Sequence, residues 1–370
     1  MTIKIAFFLP SLRGGGAERI FASLANSLVN QGYLVDFVLS SADGVFLSKL
    51  DSKIKYFDLG HKHVINSFFN LIRYLKAQRP NVLLSGLSNA NAAAITAGRI
   101  FLPSCKVIIT QHLNWPQVLA NNPTLKERLV YQLSKYLYPL AARIVAVSNE
   151  IAVDIRLMKN VDPEKVLCIY NPVITPELLE LSRLPAVHPW LAGKNEPVLL
   201  GVGRLFEQKD FATLIRAFFK VRSQIACKLL ILGDGPERKI LENLVQRLDL
   251  SGQVELPGFS SNPYAAMTNA DLFVLSSKYE GLPTVLIEAL ACGTSVVATD
   301  CVSGPAEILD GGKYGRLVPV GDEEALAKAI IDSLQNPANK RWLEEKAQLF
   351  TIDNATRMYA SLIERVIAAN

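Results

Sequence analysis

The chain is short of everything that would staple it or thread it through a bilayer. Its 370 residues include five cysteines, Cys105, Cys168, Cys227, Cys292 and Cys301, odd in number, scattered and without a C-x-x-C pair. That excludes a disulfide framework and a cysteine zinc site, and reads as reduced, buried thiols of a cytosolic protein. Cys292 and Cys301 stand near one another as small apolar filler. No uninterrupted apolar run of about twenty residues occurs, so no spanning helix is expected. Residues 81–98 lack charge but are broken by Asn81, Ser85, Ser88, Asn89, Asn91 and Thr96. The opening run to Pro10 is too short and too weakly basic for a secretory signal. There is no D-x-D triplet, so a metal-bridged diphosphate is not expected. There is no basic stripe interleaved with aromatics, which argues against nucleic acid as a partner.

What is present is a half-hydrophobic chain, 50% by composition, with only 20% charged residues. That is a well-buried globular protein, and its length implies two domains. Charge is uneven. Residues 1–180 hold 19 Lys+Arg against 12 Asp+Glu, and the remainder 20 against 22. A basic first half suits an anionic partner: an acidic membrane face or a lipid diphosphate.

A strand–turn–helix rhythm runs through both halves. Residues 3–9 are an apolar strand, followed by Gly14-Gly15-Gly16-Ala17-Glu18 and a helix carrying Ile20, Phe21, Leu24, Ala25 and Leu28. Glycines there let backbone N–H groups approach a phosphate or sugar, although neither G-x-G-x-x-G nor G-K-[ST] is met. Leu34–Ser40, Val82–Leu84, Val107–Thr110, Ile144–Val147 and Val166–Tyr170 read as further strands. Phe68, Phe69, Ile72 and Leu75 read as one face of a helix. His112 follows the Val107–Thr110 strand, at the end of a parallel sheet where ligands bind. Residues 126–142 read as one helix, with Lys126, Arg128 and Lys135 among Leu129, Tyr131, Leu133, Tyr136 and Leu137. Two readings stand: a helix packed on a sheet with its lysine stems outside, the ordinary one, or a face that meets anionic lipid. Residues 172–197, with five prolines, read as a linker.

The rhythm then restarts. A buried strand from Pro197 ends in Gly203-Arg204, with Lys209 five positions on, two cations able to neutralise a diphosphate. A strand over Leu229–Leu232 ends in Gly233-Asp234-Gly235-Pro236, and one over Val254–Leu256 in Pro257-Gly258-Phe259, where backbone can face a base. Glu280-Gly281-Leu282-Pro283 is a turn. A helix follows, with Thr284 as its expected N-cap, Val285, Leu286 and Leu290 on one side, Glu288 on another, and Gly293 as its stop. A helix N-terminus suits phosphate, and two nearby carboxylates suit hydroxyls; a nucleotide sugar offers both.

Glu280 through Glu288 resembles the E-x7-E motif of retaining glycosyltransferases of the GT-B fold, the large family four. The glycine turn at 14–16, Gly203-Arg204 with Lys209, Gly233-Asp234-Gly235 and Asn171-Pro172 fall where that family has them, and the resemblance spans essentially the whole chain. It implies two Rossmann-like α/β domains facing each other across a cleft: residues 1–180 for acceptor, residues 181–350 for the nucleotide sugar, and residues 351–370 as a helix returning to the first. It implies that Glu280 binds donor-sugar hydroxyls and Glu288 ribose hydroxyls, that Arg204 and Lys209 hold the diphosphate, that Gly15 and Gly16 approach the donor phosphate, and that His112 lies against the transferred sugar. Gly258, Phe259, Gly281, Thr284 and Val285 complete the expected donor site. Pro283 and Thr284 depart from the family's usual glycine and large apolar residue. Because Pro283 lacks an N–H, phosphate contacts there fall to Thr284 and Val285.

The expectation is therefore a metal-independent hexosyltransferase without a cofactor, the nucleotide sugar being its substrate. UDP-sugar is the expected donor, and a lipid-linked or envelope glycan built at the cytoplasmic membrane face the expected acceptor. The competing readings are a nucleotide-sugar epimerase, which needs an acid–base pair at the anomeric carbon, and a non-catalytic sugar-nucleotide-binding module.

Overall fold

The computed structural model describes residues 2–13, 15–120 and 123–369; Gly14 of the glycine turn lies outside the described residues. Two compact units divide the chain, Met1–Pro172 with Thr351–Asn370, and Val173–Phe350.

The first unit is a seven-stranded parallel sheet of β1 (Lys4–Leu9), β2 (Leu34–Leu39), β3 (Lys55–Asp58), β4 (Val82–Gly86), β5 (Lys106–Gln111), β6 (Arg143–Ala146) and β7 (Val166–Cys168), in the order β3-β2-β1-β4-β5-β6-β7. Strands buried on both faces read as continuous apolar runs, because helices cover each side. In β1, Ile5 to Leu9 are all solvent-free, and Phe7 lies in register with Phe37 of β2 and Leu84 of β4. The Phe7 and Phe37 rings stack, 5.4 Å between centroids. The last helix, Ile352–Ala368, adds Leu362, Ile363 and Val366 to the same core as Phe7, Leu24 and Leu28. Thr356 Oγ1 donates to Ser27 Oγ at 2.9 Å, and Tyr33 Oη to Glu364 at 2.9 Å.

The second unit is a six-stranded parallel sheet of β8 (Val198–Val202), β9 (Lys228–Leu232), β10 (Val254–Gly258), β11 (Leu272–Leu275), β12 (Val296–Thr299) and β13 (Arg316–Val318), ordered β10-β9-β8-β11-β12-β13. Leu199, Leu229, Ile231, Val274 and Val297 pack there against Leu214 and Phe218 of the Phe211–Arg222 helix. In each sheet the order reverses direction at one place, between β1 and β4 and between β8 and β11. Loops leaving those strand ends diverge and open a crevice.

Three expectations are corrected. The Phe68–Gln78 helix buries Leu71, Ile72, Tyr74 and Leu75, while Phe69 is 76% exposed; the apolar stripe is centred one position away from Phe69, which projects outward. Residues 172–197 are not a linker. Pro176 and Pro189 each open a short helix, Pro176–Ser182 and Pro189–Ala192, since proline costs nothing at a first helical position. Leu178 and Leu191 are buried in the second unit. The segment 126–142 is not one sheet-packed helix. The helix is Leu125–Leu137, followed by a 3-10 turn over Tyr138–Leu140 with Pro139 inside it. It rests on the Ser88–Phe101 helix and buries only Ser134 of its own residues.

Candidate active site

In the second unit, the loops leaving β8 and β11 carry the residues that sequence reasoning paired. After β8, the chain passes Gly203, Arg204 and a 3-10 turn over Glu207–Lys209. It then enters the Phe211–Arg222 helix through Asp210, a left-handed residue (φ 47°) whose carboxylate caps Thr213. Lys209 is thus held between a turn and a cap. After β11 come Ser276, Ser277 and Glu280. Lys209 Nζ meets Glu280 Oε1 at 2.5 Å, with side chains 16% and 9% exposed.

Backbone and side-chain bonds strap these loops together. Lys278 N donates to Gln208 O at 2.8 Å, Gln208 Nε2 to Tyr279 O at 2.8 Å, and Ser276 Oγ to Lys209 O at 2.8 Å. Ser277, wholly buried, donates from Oγ to Glu280 Oε1 at 2.6 Å, and its own carbonyl accepts from Thr299 Oγ1 at 2.6 Å. Glu280 is therefore a fixed acceptor and not a solvated loop acid. One of its oxygens is committed to Lys209 and Ser277. Sequence reasoning missed Ser276, Ser277 and Gln208; the available signal was a serine pair directly after a buried strand.

Arg204 is exposed, and its guanidinium lies over the Phe206 ring, 4.9 Å from the centroid. Among the described residues it forms no ion pair. Gly203 lies against the Lys209 stem: a Cβ there would meet Lys209 Cε at 3.4 Å. Gly233 is compelled, since with φ +144° an added Cβ would fall 1.9 Å from Gly203 O. Gly233 N donates to Gly258 O at 2.8 Å, and Arg238 bonds both Leu256 O and Gly233 O, so the ends of β8, β9 and β10 form one platform. Arg238 also was missed. Gly258 has φ +103°, and Phe259 beyond it is 82% exposed at the rim of a pocket of about 440 Å³ with Val187, His188 and Leu232.

The helix of the E-x7-E stretch is Thr284–Ala291. Its N-cap is Pro283, at φ −70° and ψ 94°, and not Thr284, which is the first helical residue. The cap position does not use its own N–H in the helix, so a proline fits there. Gly293 (φ +71°) follows Cys292 and ends the helix, its N–H donating to Leu290 O at 2.9 Å. Val285 is half-buried, whereas Leu286 to Ala291 are all buried. Glu288, placed by pattern on a different side from Val285, Leu286 and Leu290, is only 4% exposed. Gly281 O accepts from Ser303 Oγ at 3.0 Å, which ties the turn to the loop after β12.

The first unit shows its own cluster beyond its strand ends. Gly15 is the N-cap of the Gly16–Asn30 helix, at φ −76°, and a Cβ on Gly16 would touch nothing within 4 Å. Neither residue needs to be glycine for its own backbone. Phe21 of that helix packs on His112, with centroids 5.9 Å apart, and His112 Nε2 lies 3.1 Å from Thr110 Oγ1. His112 is half-buried but closely packed, and desolvation lowers its pKa to about 4. The ring is neutral at pH 7.

A family model of glycosyl transferases group 1 matches residues 187–350, and one of Glycosyltransferase Family 4 matches residues 14–176. The chain belongs to the family four glycosyltransferases. An N-acetylgalactosamine-N,N'-diacetylbacillosaminyl-diphospho-undecaprenol 4-alpha-N-acetylgalactosaminyltransferase of Campylobacter jejuni is 28% identical over 93% of this chain and 94% of its own. A glycosyltransferase of Rickettsia africae superposes with a TM-score of 0.80 at 18% identity, over 99% of both chains. Anabaena HepE, in complex with UDP and glucose, superposes with a TM-score of 0.77 at 20% identity, over 98% of this chain and all (100%) of its own. The two parallel-sheet units are those of the GT-B fold, and the chain is a glycosyltransferase.

Proposed function

We propose that this glycosyltransferase moves a hexose or N-acetylhexosamine from a UDP-sugar to a hydroxyl of a lipid-linked glycan, with retention and without a metal ion or cofactor. The observation that carries the reading is the Lys209–Glu280 pair, 2.5 Å apart at the reversal of the second sheet, five residues on from an exposed Arg204 that forms no ion pair among the described residues. Arg204 supplies a planar fork, and Lys209 keeps two ammonium protons for phosphate oxygens beyond the one given to Glu280. The Thr284 and Val285 N–H groups open a helix toward the same anion. Glu280 and Glu288 accept from sugar and ribose hydroxyls. Gly203 and Gly281 keep the approach open, and Gly258 with Phe259 meets the base. From the first unit, Gly15 and Gly16 are assigned to donor phosphate and His112 to the transferred sugar.

In the reaction the anomeric C1–O bond to the diphosphate breaks while a C1–O bond to the acceptor forms on the same face. The acceptor's proton passes to a departing phosphate oxygen. Negative charge grows on that diphosphate, so fixed cations stabilise the transition state more than the ground state. The Campylobacter relative is named for an α-linked product on a diphospho-undecaprenol acceptor, in keeping with retention from an α-linked donor. A polyprenyl acceptor brings the enzyme to work at a membrane surface.

Thermal shifts with UDP, UDP-hexoses, UDP-N-acetylhexosamines and GDP-mannose in EDTA test the donor. A ligand at about a hundred times its Kd adds about 2.7 kcal/mol. Silence from every uridine nucleotide, or a response only after magnesium is added, would end the reading. Release of an epimer from donor alone would move it to the epimerase class.

A further inference from the structure

Desolvation keeps the His112 ring neutral, so it carries a single N–H. Which nitrogen holds that proton decides what the ring can bind. Thr110 makes the choice. Its hydroxyl, in a side chain 1% exposed near the end of β5, lies 3.1 Å from His112 Nε2 and 3.2 Å from Ser85 O of β4. The hydroxyl has one proton to give. If it went to Nε2, the Thr110 and Ser85 oxygens would face one another with lone pairs alone. Given to Ser85 O, which can only accept, it leaves the Thr110 oxygen to accept from Nε2–H, and both short contacts become hydrogen bonds. The ring is then the Nε2–H tautomer, with a bare lone pair on Nδ1. Among the described residues nothing bonds Nδ1.

The surroundings hold this arrangement in place. Asn91, wholly buried, donates from Nδ2 to Thr110 O at 2.8 Å and so fixes the backbone that presents the hydroxyl. Gly86 stands in register with Thr110, and a Cβ there would fall 2.3 Å from Phe21 Cζ and 3.0 Å from Thr110 Oγ1. Glycine at that position lets Phe21 pack on the imidazole while Thr110 bonds it. A lone pair on Nδ1 rewards a group that brings a proton and offers nothing to a position without one.

We propose that Thr110 is a positioning residue that fixes His112 as the Nε2–H tautomer, so that Nδ1 accepts from a hydroxyl of the transferred sugar and disfavours a sugar lacking it. The sugar contact rests on the placement of His112 proposed above. The tautomer is read on the free protein, so the two can fail separately.

Long-range proton–nitrogen spectra of the full chain with isotope-labelled histidine, above pH 7 and without ligand, identify the protonated nitrogen of each ring; His112→Gln assigns the signal. His112 should be protonated at Nε2. Thr110→Val keeps the shape and deletes the hydroxyl, and should give a mixture with the Nδ1–H form; Thr110→Ser should restore the single tautomer. Calorimetry follows with UDP, UDP-glucose, UDP-galactose and their N-acetyl forms, then with monodeoxy analogues of the tightest binder. The parent chain should lose about tenfold on one analogue, the worth of one hydrogen bond. Thr110→Val should lose a similar factor on the parent sugar, nothing on UDP, and no longer tell sugar from analogue. An Nδ1–H ring in the parent chain overturns the proposal, and that result is had even where Thr110→Val does not fold. So does an unchanged tautomer in Thr110→Val, or an equal loss on UDP. Silence from every UDP-sugar with the Nε2–H ring in place overturns the sugar contact and the donor reading together, and leaves the tautomer assignment standing.

Discussion

Lys209 and Glu280 hold one another with little water between them, so neither can be removed cheaply. Lys209→Ala leaves a mostly buried carboxylate without its cation and should destabilise by about 2–3 kcal/mol in urea titration. The double change Lys209→Ala/Glu280→Ala should cost less than the sum of the singles, and that shortfall measures the coupling. Either single change should lower kcat/KM by about a hundredfold or more, since each removes a fixed charge from the developing diphosphate or its sugar. His112 behaves in the opposite sense to a salt-bridged histidine. Its folded pKa, about 4, lies below the unfolded value of 6.5. Between those values the unfolded chain binds more protons, so stability falls as pH drops from about 6.5 toward 4. His112→Gln should flatten that part of the stability curve, and the activity profile from pH 6 to 8 should carry no step from this ring. A steep histidine step there would contradict the assignment of a neutral ring. Gly16→Ala separates backbone need from ligand need. The position is open and begins a helix, so alanine should stabilise by about 0.4–1 kcal/mol, while transfer slows if donor phosphate passes there.

At the scale of elements, the decisive feature is the set of loops strapped at the ends of β8, β9, β10 and β11. Ser277 is the test case. It bonds Glu280 and is itself wholly buried, so it is a positioning residue. Ser277→Ala should lower kcat about tenfold with little change in KM for the donor, and Ser277→Thr should recover part of it. A melting temperature that falls while kcat stands still would mark a purely structural serine. The E-x7-E helix shows how far pattern reading reached. Its existence and its stop at Gly293 were legible from spacing and a glycine. Its cap was not, because Pro283 and Thr284 both satisfy the local rules and only the backbone angles distinguish them. Spacing sets Glu288 on a different side from Val285, Leu286 and Leu290, yet it too is buried, at 4% exposed. Periodicity reports one helix face at a time and cannot show that neighbouring loops close over the other.

For the whole molecule, the last helix belongs to the core of the first unit. Ending the chain at Phe350 would strip Tyr359, Leu362, Ile363 and Val366 from that core, at about 1.5–3 kcal/mol for each fully buried aliphatic side chain. The truncated chain should melt at lower temperature and be cleaved faster by protease within residues 1–172. The absence of a D-x-D triplet makes a further statement at this scale: transfer should proceed undiminished in EDTA, measured with purified donor and acceptor. Among the described residues no helix is long and apolar enough to cross a membrane.

Sequence by itself determined the class of fold and the order of its parts. Continuous apolar strands alternating with helices are satisfied by a parallel sheet covered on both faces, and strand–helix–strand crossovers are right-handed almost without exception. It also determined which residue types gather at the strand ends, since glycine, lysine and glutamate stand in loops where burial does not choose them. Tertiary structure alone decided that Lys209 and Glu280, 71 positions apart, meet through one oxygen, because strand order sets which loops become neighbours and no local pattern encodes strand order. It alone decided which apolar residues of the Leu125–Leu137 helix face outward. A helical stripe announces a hydrophobic partner, and only packing reveals whether the chain itself provides it.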